Sequence, residues 1–154
     1  MFYWLTKNFF KILFIIYNRA EVKGLENCSV QGPCILASNH ASHLDPPLVG
    51  AMFPGRLTFV AIDYLFRMPF IGFCIRHLGV IPITHDKASS AVEMLKLSLK
   101  LLQEGKKVIL FPEGTRSWDG KLKDFEGGAA MLALKTGAPI LPIFVEGTHR
   151  SMPW

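Results

Sequence analysis

Two short stretches of the chain hold residue types that do chemistry together. In Ser38-Asn-His-Ala-Ser-His-Leu-Asp-Pro-Pro47, an imidazole, His40, stands five positions before a carboxylate, Asp45. An imidazole titrates near neutrality and can take a proton from a hydroxyl. A carboxylate on its far ring nitrogen fixes the tautomer and stabilises the imidazolium that forms. The pair has no nucleophile of its own, which points to a substrate that supplies the attacking hydroxyl. Ser38 and Ser42 are at hand, but neither sits in the G-x-S-x-G elbow that strains and exposes a serine. Two other readings compete. Asp45, followed by Pro46, has the position of a helix N-cap before a proline in the first turn, although a cap does not explain His40. Alternatively, His40, His43 and Asp45 are ligands of a metal-dependent hydrolase, with few further clustered candidates to complete its site.

The second stretch, Phe111-Pro-Glu-Gly-Thr-Arg-Ser117, lies about seventy residues downstream. Gly114 permits close backbone approach, Arg116 offers a planar fork of donors to a phosphate, and Glu113 can accept hydrogen bonds from hydroxyls. Alone the string reads as a polar turn; paired with the first, it completes an anion-binding and proton-transferring set.

Both stretches fall where a strand should end, the edge of an α/β sheet that favours ligands. From Gly32 onward, β-branched runs alternate with segments of helical period, which predicts an α/β domain with a largely parallel or mixed sheet flanked by helices. The predicted strands are Cys34 to Ser38, Leu57 to Ile62, Val80 to Ile83, Lys107 to Phe111 and Ile140 to Val145. Helices are predicted over Pro46 to Met52, Tyr64 to His77, Lys87 to Glu104 and Gly127 to Thr136, with stops at Gly105 and at Gly137 with Pro139. Val92, Leu95, Leu99 and Leu102 make the third an amphipathic cover for the sheet, with Lys96 and Lys100 on its solvated side.

Residues Met1 to Tyr17 are dominated by Phe, Ile, Leu, Tyr and Trp but interrupted by Thr6, Lys7, Asn8 and Lys11, whereas a clean span needs about 20 apolar residues. As a helix, the segment puts Lys7 and Lys11 on one face, with Trp4, Phe10, Phe14 and Tyr17 free to point elsewhere. It reads as a helix in a membrane interface whose lysines snorkel to phosphates, rather than a core helix or a signal peptide. The expected division is residues 1–25, a membrane-associating helix, and 26–154, one α/β domain.

Half the residues are apolar and only 19% charged, so the chain should keep some apolar surface. The +5 charge is scattered and favours an acidic partner, lipid or nucleic acid. Cys28, Cys34 and Cys74 lack paired spacing and read as free thiols. Thr148 to Trp154 follow a strand-like run without an obvious terminating helix, as in a short member or a fragment.

Taken together, the motifs resemble those of the glycerolipid acyltransferases typified by bacterial 1-acylglycerol-3-phosphate acyltransferase. The resemblance runs from about Gly24 to Thr148 and covers four motifs in order: Asn39-His40 through Asp45, Gly79 to Ile83, Phe111 to Ser117, and Leu141 to Gly147. It implies transfer of a fatty acyl group from acyl-CoA or acyl carrier protein to a lysophospholipid hydroxyl, in phospholipid biosynthesis, without a covalent enzyme intermediate, cofactor or metal. It also implies a membrane-associated protein at the cytoplasmic face with no nucleic-acid partner. His40 would be the base and Asp45 its partner, with Glu113, Gly114, Thr115 and Arg116 in the acceptor site. The chain departs from the family pattern in its basic residues. His85 stands where Arg is frequent, Ile62 and Asp63 where a basic residue is common, and Glu126-Gly127 where Lys is usual; His85 is then a substitute phosphate ligand. A non-catalytic lipid-binding protein on the same fold is the third reading.

Overall fold

The computed structural model describes residues 2–84 and 87–153, with the backbone alone at 87–89. In chain order the elements are α1 (Phe2–Asn18), β1 (Cys34–Ser38), α2 (Asp45–Met52), β2 (Val60–Ile62), α3 (Pro69–His77), β3 (Ile81–Ile83), α4 (Lys87–Gln103), β4 (Lys107–Leu110), α5 (Gly128–Thr136), β5 (Ile140–Ile143) and α6 (Thr148–Ser151). Every strand pairing is parallel. β1 is central, with Cys34 opposite Lys107 of β4 and Ile35 opposite Ile140 of β5. β2 pairs β3 from Val60 and Ile81 onward, and a bridge from Thr58 to Val108 joins the two sheets.

The strands are short apolar runs because a central parallel strand is covered on both faces. On one face Ile35, Val108 and Leu110 pack with Leu101, Leu102 and Leu132 from α4 and α5. On the other, Cys34, Leu36 and Ile109 pack with Val49, Phe53 and Leu57 in and beyond α2. All three cysteines are free, with Cys34 in the core. Pro82 and Pro142 lie in β3 and β5, at the outer ends of the pairing, where a missing N–H is tolerated.

Some boundaries differ from expectation. The helix predicted over Tyr64 to His77 is a 3-10 turn, Asp63–Arg67, followed by α3. Met68 between them is extended, at φ −73° and ψ 128°, because a residue before proline is disfavoured from helical geometry. The run predicted as Leu57 to Ile62 pairs β4 only at Thr58 before crossing to β3. Beyond β5, Val145 bonds the Asn39 side chain and not a strand. The chain does fold into a short helix, α6, after Gly147.

α1 packs against α2 through Tyr3, Lys7 and Phe14, all buried. Here the expected snorkelling of Lys7 fails. Its ammonium turns inward and donates to the carbonyls of Phe53 and Gly55, the negative end of α2. Phe14, seven residues on, shares that inner face, and Lys11 alone of the two lysines faces solvent. Among the described residues, no helix is long and apolar enough to cross a membrane.

Burial, with Lys11 nearby, lowers the Lys7 amine to about 8 from the ordinary 10.5. The unfolded chain therefore binds more protons than the folded one between those values, and stability rises with pH across that window. Chemical denaturation at stepped pH should show the midpoint climbing from pH ~8 to ~10.5 in the wild type, and Lys7→Met should flatten the climb. An equal slope in both proteins would exclude Lys7 as the titrating group.

Candidate active site

β1 ends at Ser38, and the turn that follows carries His40 back over the first turn of α2. His40 Nδ1 lies 2.9 Å from Asp45 Oδ2. Asp45 is wholly buried, and its Oδ2 also accepts the backbone N–H groups of Ala41 and Ser42, each at 2.7 Å. Thr148 Oγ1 donates to Oδ1 at 2.6 Å. Burial pushes this carboxyl up, but the bonds from His40, Thr148, Ser42 and Ala41 outweigh it and hold Asp45 below its ordinary range. An ionised carboxylate only accepts, so the proton between the two groups sits on His40 Nδ1. The neutral imidazole then carries its lone pair on Nε2.

The N-cap reading of Asp45 is overturned. Asp45 is the first residue of α2, Leu44 holds the cap position, and no side chain caps the helix. Pro46 and Pro47 have no N–H to offer, and Leu48 N–H is taken by the Leu44 carbonyl, so the carboxylate turns back to the loop.

The second motif holds His40 by its main chain. Glu113, 4% exposed, accepts His40 N–H on Oε1 at 2.7 Å and Lys123 N–H on Oε2 at 3.1 Å. The His40 carbonyl accepts Ser117 N–H at 2.7 Å. Phe111 stacks on the imidazole with centroids 4.2 Å apart and planes inclined by 26°. Glu113, expected in the acceptor site, also has a backbone role here: one oxygen holds the His40 main chain and the other that of Lys123. Gly114 has φ +69°, a left-handed conformation that favours glycine, and Glu126 Oε1 lies 2.6 Å from where a Cβ would stand. The position where a basic residue was expected thus brings a carboxylate against the motif.

Arg116 Nη1 meets His43 Nε2. Burial, then the Arg116 charge, lower the His43 pKa, which favours the neutral ring that accepts from the guanidinium. Among the described residues no three His, Cys, Asp or Glu side chains gather as a metal site, and the set of His40, His43 and Asp45 does not converge as ligands. Thr115 Oγ1 accepts the Lys123 ammonium. Ser38 Oγ donates to the Asn39 carbonyl and Ser42 Oγ to the Met152 carbonyl, which leaves both serines in structural roles. His85 lies outside the described residues.

Sequence reasoning missed three contributors. Lys123 adds a cation beside Thr115, Thr148 supplies a bond to Asp45, and Asn39 clamps Val145 through two bonds of 2.9 and 2.7 Å. Asn39 opens the first motif and Thr148 ends the resemblance, but neither was given a role.

The Acyltransferase family model matches residues 19–146, and the chain belongs to that family. It is 38% identical over 138 residues to the chloroplastic 1-acyl-sn-glycerol-3-phosphate acyltransferase of Brassica napus, covering 89% of this chain and 40% of that protein. The 1-acyl-sn-glycerol-3-phosphate acyltransferase of Borreliella burgdorferi is 32% identical over 128 residues, covering 83% of this chain and 51% of that one. Among solved structures, the 1-acyl-sn-glycerophosphate acyltransferase PlsC of Thermotoga maritima superposes with a TM-score of 0.76 at 32% identity, over 98% of this chain and 60% of that chain. The chain thus spans 40 to 60% of the length of these relatives.

Because its folded pKa is depressed, Asp45 contributes stability that is complete above the unfolded value near ~3.9 and is lost as pH falls through the folded one. Asp45→Asn should therefore cost about 2 kcal/mol at neutral pH. It should also lessen the loss of stability below pH ~4. Paired acid titrations followed by circular dichroism measure both; parallel acid limbs would refute the ionised, hydrogen-bonded carboxylate.

Proposed function

We propose that this chain transfers a fatty acyl group from a thioester, acyl-CoA or acyl carrier protein, to the free hydroxyl of a lysophospholipid such as 1-acyl-glycerol-3-phosphate. The observation that carries the reading is the His40–Asp45 contact, with Nδ1 turned to a buried carboxylate and Nε2 left to face a substrate. The hydroxyl proton passes to Nε2 as the oxygen attacks the thioester carbonyl. The tetrahedral intermediate then collapses with loss of the thiolate, which takes the proton back from the imidazolium. The names and folds of the relatives support this reaction and acceptor class.

Arg116, Thr115 and Lys123 form the acceptor's phosphate site, with His43 orienting the guanidinium. An apolar groove of about 580 Å³ runs between α5 and β5, bounded by Asn39 and Pro112 and lined by Leu122, Phe125, Ala130 and Phe144. A fatty chain has the shape and polarity that suit it. The exposed side of α1 rests the protein on the membrane interface: Leu5, Phe9, Ile12 and Ile16 are all exposed, as an interfacial helix requires.

Incubating the purified protein with labelled acyl donors and a panel of lysophospholipids, with products read by mass spectrometry, tests the reaction and identifies donor and acceptor. In that assay His40→Ala should lose roughly 100-fold or more in turnover while keeping its melting temperature. Near-normal turnover would remove His40 as the base.

Arg116→Ala should raise the Michaelis constant for a phosphate-bearing acceptor more than for the thioester. Arg116→Lys should restore only part of the loss, since a point charge cannot reproduce a planar fork. Steady-state kinetics with each substrate varied in turn decides this, and an unchanged acceptor constant in Arg116→Ala would place the phosphate elsewhere.

A further inference from the structure

α1 and α3 share one apolar surface. Phe2 of α1 meets Phe73 of α3 edge-on at 5.8 Å between centroids and lies 4.4 Å from the His77 ring, which is itself 4.2 Å from Phe73. From this seam the exposed apolar side chains extend onto both elements. Phe70 is 69% exposed and Phe73 49%, with Met68 and Ile71 beside them, much as Ile16 is 74% exposed on α1. Isolated apolar residues on a surface are ordinary; a contiguous set spanning two helices marks a docking face.

Charge selects the occupant. Lys11, Arg67 and Arg76 are exposed on these two elements and the turn before α3, and the acidic member on these segments, Asp63, pairs Arg67 at 3.4 Å. Exposed aromatic and aliphatic side chains with an excess of Lys and Arg on the same segments complement the acyl and headgroup layers of an anionic membrane. α3 is also held at a set angle. A Cβ on Gly72 would lie 2.3 Å from the Phe66 carbonyl, and Arg76 Nη1 donates to that same carbonyl at 2.8 Å. The helix is thereby pinned to the turn before it with Phe70 and Ile71 outward.

We infer that α3 is a second membrane-contacting element, which docks beside α1 on bilayers containing anionic lipid and fixes the orientation of the domain on them. This rests on the reading of α1 as an interfacial helix. A single helix lying in an interface can roll about its axis, whereas two at a fixed mutual angle define a plane. The catalytic edge of the sheet then meets the membrane in one attitude.

The test is partitioning of the full chain onto vesicles of phosphatidylcholine with or without phosphatidylglycerol, measured by sedimentation. Three proteins are compared: wild type, Phe70→Ser/Ile71→Ser in α3, and Ile12→Ser/Ile16→Ser in α1. The altered side chains are exposed or nearly so, and a thermal melt confirms that each variant folds. The α3 variant should bind the anionic vesicles roughly tenfold more weakly, as should the α1 variant, and the wild type should prefer anionic vesicles to neutral ones. A loss confined to the α1 variant overturns the role of α3 and spares that of α1, while wild-type binding by both variants overturns the two together. Equal binding of the wild type to both vesicle types removes the anionic lipid. A wild-type dimer that the α3 variant converts to monomer, with vesicle binding unchanged, reassigns the face to contact between copies.

Discussion

Asp45 is a carboxylate with no exposed surface, and an ion so placed is tolerated only where donors surround it. Four donors converge on it: the His40 ring, two backbone amides of the turn, and the Thr148 hydroxyl. Together they lower its pKa against the opposing pull of burial. The same bonds shape the turn between β1 and α2, and so determine where the imidazole stands. The tautomer of His40 follows from the ionisation of Asp45. The buried charge is therefore the constraint from which the chemistry of the site descends.

A carboxylate that fixes one ring nitrogen does not by itself fix the ring's position. That task falls to the loop after β4, which grips the main chain of His40 on both sides through Glu113 and Ser117 and lays Phe111 against the ring. The second acid of the site thus works on backbone N–H groups. Glu113→Gln would keep the shape but weaken one bond and abolish the other, since an amide oxygen accepts less strongly than a carboxylate and the amide nitrogen cannot accept at all.

Most of the fold was legible because its signals are local. The continuous apolar runs at Cys34 to Ser38 and Lys107 to Phe111, and the glycines after α4 and α5, each record a preference of a few neighbouring residues. The misreadings share one cause, a tertiary partner that local sequence does not display. Lys7 looked like a snorkelling lysine until the end of α2 offered it two carbonyls. The competing reading of Asp45 as a cap fell because the turn before it supplied other donors. The bond from His40 N–H to Glu113 was equally hidden, since its partner lies 73 residues away. Lys123 carried no motif, and the sequence had no means of showing that its ammonium reaches Thr115.

The separation of scales also explains how the site is assembled. The bond between His40 and Asp45 spans five residues, so the pair can meet in a short turn. The bonds that hold the pair in register span 73 residues through Glu113, 103 through Thr148 and 106 through Asn39. The first therefore needs β4 beside β1, and the other two need β5 beside β1. Central placement of β1 between the other two satisfies all three at once, because its C-terminal end is flanked by the loops that follow both neighbours. A His–Asp pair that is local in sequence thus becomes ordered only when the sheet forms. The parallel order of these three strands is what converts a local His–Asp spacing into a site.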